Sequence, residues 1–153
     1  MRARRYPPYA LRCLGAIALL GVGAVHIDQY FTVHYRVVPV IGTLFVLNLI
    51  GAAAIALLLI LPIERVFGGI GPVVAGLLAL AGIALAVTSA AFLLVSEHTP
   101  LFGFMENGYR TAIILSFVAE GATVIFLGTY VTALLGGGGA PTAPRASAPS
   151  VRP

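Results

Sequence analysis

Four long apolar runs dominate this sequence and limit what it can fold into more than any other feature. They extend from Cys13 to Val25, Val37 to Leu61, Pro72 to Val95 and Thr111 to Leu135. An α-helix needs about 20 apolar residues to cross the hydrocarbon core of a bilayer. The last three runs reach that length outright, and the first does so when extended at both ends. None shows the period of two that marks barrel strands, so helices are predicted. Composition agrees: 59% of the 153 residues are hydrophobic and 9% charged, against about 25% charged in a soluble domain. Too few charges remain to cover a water-facing surface, and a soluble globular fold is excluded. The predicted fold class is all-α: a polytopic integral membrane protein with four transmembrane helices in a bundle.

The segments divide simply. Residues 1–12 form a basic, proline-bearing arm with Arg2, Arg4, Arg5 and Arg12. The transmembrane domain covers 13–135, with spans at about 11–29, 37–61, 72–95 and 111–135. Residues 136–153 open with four glycines and continue in Ala, Pro, Ser, Thr and Arg, the composition of a disordered tail. The first run also resembles the apolar region of a signal peptide, with Val22-Gly23-Ala24 as its cleavage site. A retained helix is preferred, because Tyr9 to Leu11 extend it and Arg12 can snorkel to the interface.

Every basic residue is an arginine. With the N-terminus inside, seven arginines fall on cytoplasmic segments and two, Arg36 and Arg110, on outer ones. This positive-inside bias places both termini in the cytoplasm of a bacterial plasma membrane. The arginines form no stripe, so nucleic-acid binding is not expected. Cys13 is the sole cysteine, which excludes an intrachain disulfide, a CxxC redox pair and a multi-thiolate metal site.

In that orientation His26, His34, Glu97, His98 and Glu106 collect on or beside the two outer loops. Imidazole and carboxylate are metal-ligand types, so these residues are the candidates for a metal or haem site, although their spacing matches no ligand motif. Asp28 lies on the same face. Glu120 differs from all of them. It lies nine residues into the fourth run, about 13 Å below the outer boundary. A carboxylate at that depth is costly and marks a functional site by default. Ala112, Ser116, Glu120 and Gly128 share one row, whose small residues predict a helix contact and turn Glu120 into the bundle. Asn48, about 16 Å deep in the second run, and Ser89, about 9 Å deep in the third, are available partners. An intramembrane polar cluster of Glu120, Asn48, Thr88 or Ser89, and Ser116 is therefore predicted, as interhelical glue or as a proton or substrate path. The rows Asn48-Ala52-Ala56 and Gly82-Ala86-Ala90 give two further small-residue faces.

The stretch His26…Tyr30…Tyr35-Arg36-x-x-Pro39-x-Ile41-Gly42-x-Leu44-Phe45-x-Leu47-Asn48 resembles a family of small four-span membrane proteins of actinobacteria. Leu101-Phe102-Gly103-Phe104-x-Glu106 and the later Glu120 fit the same pattern. The resemblance covers about residues 10–135 and implies four spans and a retained first helix. It implies no reaction, ligand or cofactor. The aromatic segment Leu101–Phe104 is read first as an interfacial anchor, with a cap over the bundle as the alternative.

No GxSxG elbow, P-loop or SxxK pair is present, so an enzyme is not expected. The leading expectation is a structural or accessory protein in the lipid bilayer, binding a membrane-protein partner or a second copy through its small-residue faces, with no cofactor. A proton-coupled small-solute carrier using Glu120 is the alternative, and metal or haem binding at the outer face the third reading.

Overall fold

A computed structural model describes residues 6–106, 108 and 110–137. Its order is α1 (Tyr6–Thr32), α2 (Pro39–Ile60), α3 (Ile63–Phe67), α4 (Gly71–Ser96) and α5 (Thr111–Gly137). A single 3₁₀ turn, Tyr35–Val37, precedes α2, and another, Gly68–Ile70, precedes α4. Proline stands in the first turn of both α2 and α4, where its missing N–H costs no helical bond. α2 stops at Leu61, which is extended ahead of Pro62 as a residue before proline prefers.

The protein is an all-α bundle with four helices long and apolar enough to cross a membrane. In packing order α1, α2, α4 and α5 form a closed ring, with α2 and α4 in the sparsest contact. Short connections make ring neighbours antiparallel. The core is built mostly from small side chains, with Ala16, Ala52, Ala56, Ala75 and Ala79 fully buried around Leu19, Leu59 and Leu127. Large apolar residues face outward instead: Ile17, Leu47, Leu57, Leu77, Val118 and Ile125 are all exposed. In water this distribution would be a liability. In lipid it is the expected one, because hydrocarbon solvates the large side chains and small ones let helices approach. The Ala52-Ala56 and Gly82-Ala86 rows are buried against the chain's own helices, so those faces serve the bundle itself.

The structure departs from the sequence reading at both ends of the first span. α1 begins at Tyr6, inside the predicted arm, and runs to Thr32, three residues past the predicted end of the span, so His26 and Asp28 lie within the helix and not at its margin. Arg12 does not snorkel. It is 1% exposed, and its Nη1 donates to Glu64 Oε1 at 2.7 Å while Nη2 donates to the Leu61 carbonyl at 3.3 Å. α3, a short helix for which the sequence analysis made no prediction, supplies that carboxylate. α3 lies close against the start of α4, where a Cβ on Gly71 would come within 2.6 Å of Glu64 Cα. The arm residues 1–5 and the tail 138–153 lie outside the described residues, so the predicted tail is described only through Gly137, where it continues α5.

Candidate functional site

Near the end of the bundle that carries Arg110, the helices part around a cavity of about 460 Å³. Most of its wall is carbon, from Val25, Ile41, Leu44, Phe45, Leu85 and Phe92 among others. Its polar groups come in two layers, one at the mouth and one at the floor.

The mouth is formed by three segments that the chain bends inward. His34 adopts a left-handed conformation, φ 62°, and starts the 3₁₀ turn that buries Tyr35. Gly42 permits this, since a Cβ there would lie 2.9 Å from the Tyr35 carbonyl oxygen. Phe45 stacks on the Tyr35 ring at 5.1 Å, and Phe104 meets it edge-on at 5.1 Å. Phe104 belongs to a tight turn in which Leu101 and Phe104 bond each other's backbones and Phe102 and Gly103 have positive φ. Leu101 and Phe104 line the cavity, while Phe102 points out, 56% exposed. The segment therefore lies back on the bundle as a cap, in place of the anchor preferred from sequence, with Phe102 alone free for an interfacial role.

Arg110 ties these segments together. Its Nη2 donates to both Glu106 oxygens at 3.0 Å and to the Tyr35 hydroxyl at 2.7 Å, and its Nη1 donates to Gln29 Oε1 at 3.2 Å. The Tyr35 hydroxyl donates in turn to Glu106 Oε2. Burial, then the hydrogen bond and charge of Glu106, raise the Tyr35 pKa well above the ordinary phenol value. Burial pulls the Arg110 pKa down, but its bonds and charge interactions with Glu106 and Tyr35 outweigh this and the net shift is upward.

The floor lies deeper in the bundle, with Ser116 and Glu120 six and ten residues past Arg110. Ser116 donates to Glu120 Oε1 at 3.0 Å, and the carboxyl group, 2% exposed, points into the bundle as its row predicts. Ser89 of α4 lines the cavity and its hydroxyl is 3.0 Å from His26 Nε2. His26 Nδ1 is held by the Val22 carbonyl at 2.8 Å, and the ring packs on Phe45 at 4.9 Å. Of the predicted cluster, the structure thus joins Glu120 to Ser116, while Ser89 bonds His26 instead. Asn48 lines the cavity from α2, diagonally across the ring from α5, and makes no hydrogen bond to them. Thr88 lines the cavity as well.

The outer-face metal candidates do not converge. Among the described residues no three His, Cys, Asp or Glu side chains could hold a metal ion together. His26 belongs to the floor, and Glu106 is engaged by Tyr35 and Arg110 at the mouth. Glu97 accepts from the Gly108 amide at 3.2 Å, exposed His98 is bonded to the Leu94 carbonyl at 2.9 Å, and His34 is an exposed turn residue. Sequence reasoning missed Gln29 and Arg110 as site residues and grouped His26 with the outer-face metal candidates. The available signal was Arg110 itself, an arginine four residues after an acid and directly ahead of a span.

Fold and site together define a class: a membrane-spanning four-helix bundle with a capped, mainly apolar cavity near one end. Comparisons with known protein families, with curated proteins and with solved structures returned no match.

Proposed function

We propose that this protein is an integral plasma-membrane protein with both termini cytoplasmic, and that its cavity binds a small, mainly apolar molecule bearing hydrogen-bonding groups. The arginine distribution supports the orientation, which turns the cavity toward the outer leaflet. The cavity carries the binding reading. Its volume of about 460 Å³ falls within the usual range of small-molecule sites, about 300–1,000 Å³, and its wall joins many carbons to few polar groups. Asn48 and Ser89 offer hydrogen bonds within it, and the Arg110–Glu106–Tyr35 cluster holds the cap across its mouth. A partner-binding role would have to use the outward large side chains, since the small-residue rows are occupied inside the bundle.

Native mass spectrometry of the protein released directly from membranes tests the proposal. Ala112 lines the cavity, so Ala112→Leu and Ala112→Phe fill it in two steps. A co-purifying small molecule is expected on the wild type, reduced on the Leu variant and absent from the Phe variant. Equal occupancy in all three, or none in any, overturns it.

A further inference from the structure

One wall of the cavity is open. On α4, Ala84, Thr88 and Phe92 stand a turn apart in a single row. All three line the cavity and all three are exposed, Phe92 to 42%. A residue that faces both the cavity and the outside marks the rim of an opening. Leu44 and Asn48 of α2, both half-buried, line the cavity from the facing helix. Deeper in the bundle α2 and α4 touch: a Cβ on Gly51 would lie 2.8 Å from Leu85 Cδ1, and one on Gly82 3.5 Å from Ile55 Cγ2. About one turn nearer the mouth, Asn48 and Ser89 line the cavity instead.

The end of the bundle nearest Arg110 is shut by comparison. Tyr35, Ser96, Glu106 and Ile113 line the cavity there and are all buried. The side opening lies at hydrocarbon depth. Thr88 is eight residues, about 12 Å, from the last residue of α4, and Asn48 is nine residues, about 13 Å, from the first residue of α2. In a hydrocarbon core about 30 Å thick, both are at the level of the lipid chains.

We propose that the gap between α2 and α4 is a lateral door, through which the cavity takes an uncharged, lipid-soluble molecule bearing a hydroxyl group. This rests on the binding reading above and adds the route and the chemical class. Asn48 points to the class. Its Oδ1 is buried with no hydrogen-bond partner among the described residues. A side-chain amide offers a donor and an acceptor, and a hydroxyl is both, so an alcohol or phenol can satisfy either end. A hydrocarbon chain or ring suits the carbon wall of Leu44, Leu85 and Phe92. A charged group does not suit the route, since it would have to cross hydrocarbon to reach the door.

Tryptophan quenching in phospholipid vesicles tests both parts. The full chain has no tryptophan, so Phe45→Trp on the inner wall and Phe92→Trp at the rim each provide a single reporter. The probe is a long-chain alcohol brominated at its far end, because bromine quenches tryptophan on contact. Quenching of both reporters is expected to saturate at a low mole fraction of probe in the bilayer. The bromoalkane lacking the hydroxyl, and the alcohol on Asn48→Leu, should bind roughly fivefold more weakly, the scale of one hydrogen bond. Ala84→Phe and Thr88→Phe, each added to Phe45→Trp, narrow the door. In rapid mixing they should slow the onset of quenching roughly tenfold, the scale of an overpacking barrier. Val87→Phe, on the same helix and exposed but outside the cavity lining, should leave the onset unchanged. Quenching that never saturates, equal binding of the alcohol and the bromoalkane, or an unchanged onset in both door variants each overturns the proposal. An unchanged onset in the door variants, with saturable quenching lost in Ala112→Phe, would refute the door and leave the binding cavity standing.

Discussion

At Tyr35 a single hydroxyl serves two charged groups, donating to Glu106 and accepting from Arg110 at 2.7 Å. Ionisation would set a phenolate against a carboxylate inside a largely apolar wall, which is why burial and Glu106 raise its pKa. The sign follows. A group whose folded pKa is raised contributes its full stability below the unfolded value, about 10 for tyrosine, and loses it as pH rises through the higher folded value. The absorbance of tyrosinate, compared between wild type and Tyr35→Phe, should therefore show no Tyr35 ionisation at about pH 10.5. A Tyr35 contribution already half complete there would mean the hydroxyl is solvated. The same scale shows where sequence reading stops. Glu120 was legible because a carboxylate within an apolar run has no surface explanation. Gln29 and Arg110 were not, because polar residues near a span end already have one, and only the inward bend at His34 brings Tyr35 to them.

Among the elements, the four long helices follow from hydrophobic length and needed no tertiary information. α3 did. Its five residues cannot hold a helix alone, since nucleation is costly, so packing and the Arg12–Glu64 bond stabilise it. The close approach of α3 to α4 is measurable. Gly71→Ala puts a Cβ 2.6 Å from Glu64 Cα and 3.2 Å from the Ile63 carbonyl oxygen, both backbone atoms that cannot rotate away. Overpacking of this kind costs about 1–3 kcal/mol. Gly121→Ala meets nothing within 4 Å and should be neutral or stabilising by up to about 1 kcal/mol, the helix-propensity gain. Thermal unfolding of both variants in the same detergent checks the contrast, and a Gly71→Ala midpoint at or above that of Gly121→Ala would refute the close packing.

For the whole molecule, the ring of α1, α2, α4 and α5 sets which spans can share a site. The cavity inside that ring is lined from all four helices, so Ser89 on α4 meets His26 on α1 across it, while Asn48 on α2 makes no hydrogen bond to Glu120 on α5. Topology is expected to follow the arginines. In a Cys13→Ser background, an impermeant maleimide added outside intact cells should label His34→Cys and not Arg65→Cys, both positions being exposed. Labelling of Arg65→Cys alone would invert the orientation. The sequence by itself determined that lipid is the solvent, that four helices cross it, and that Glu120 turns inward, because length, hydropathy and row spacing are local properties. The tertiary structure decided which helices are neighbours, that Arg12 is buried on Glu64, and that His26 meets Ser89 inside the bundle. Those outcomes depend on helix rotation and on side chains far apart in sequence meeting in space, and neither is encoded in the pattern of any one span.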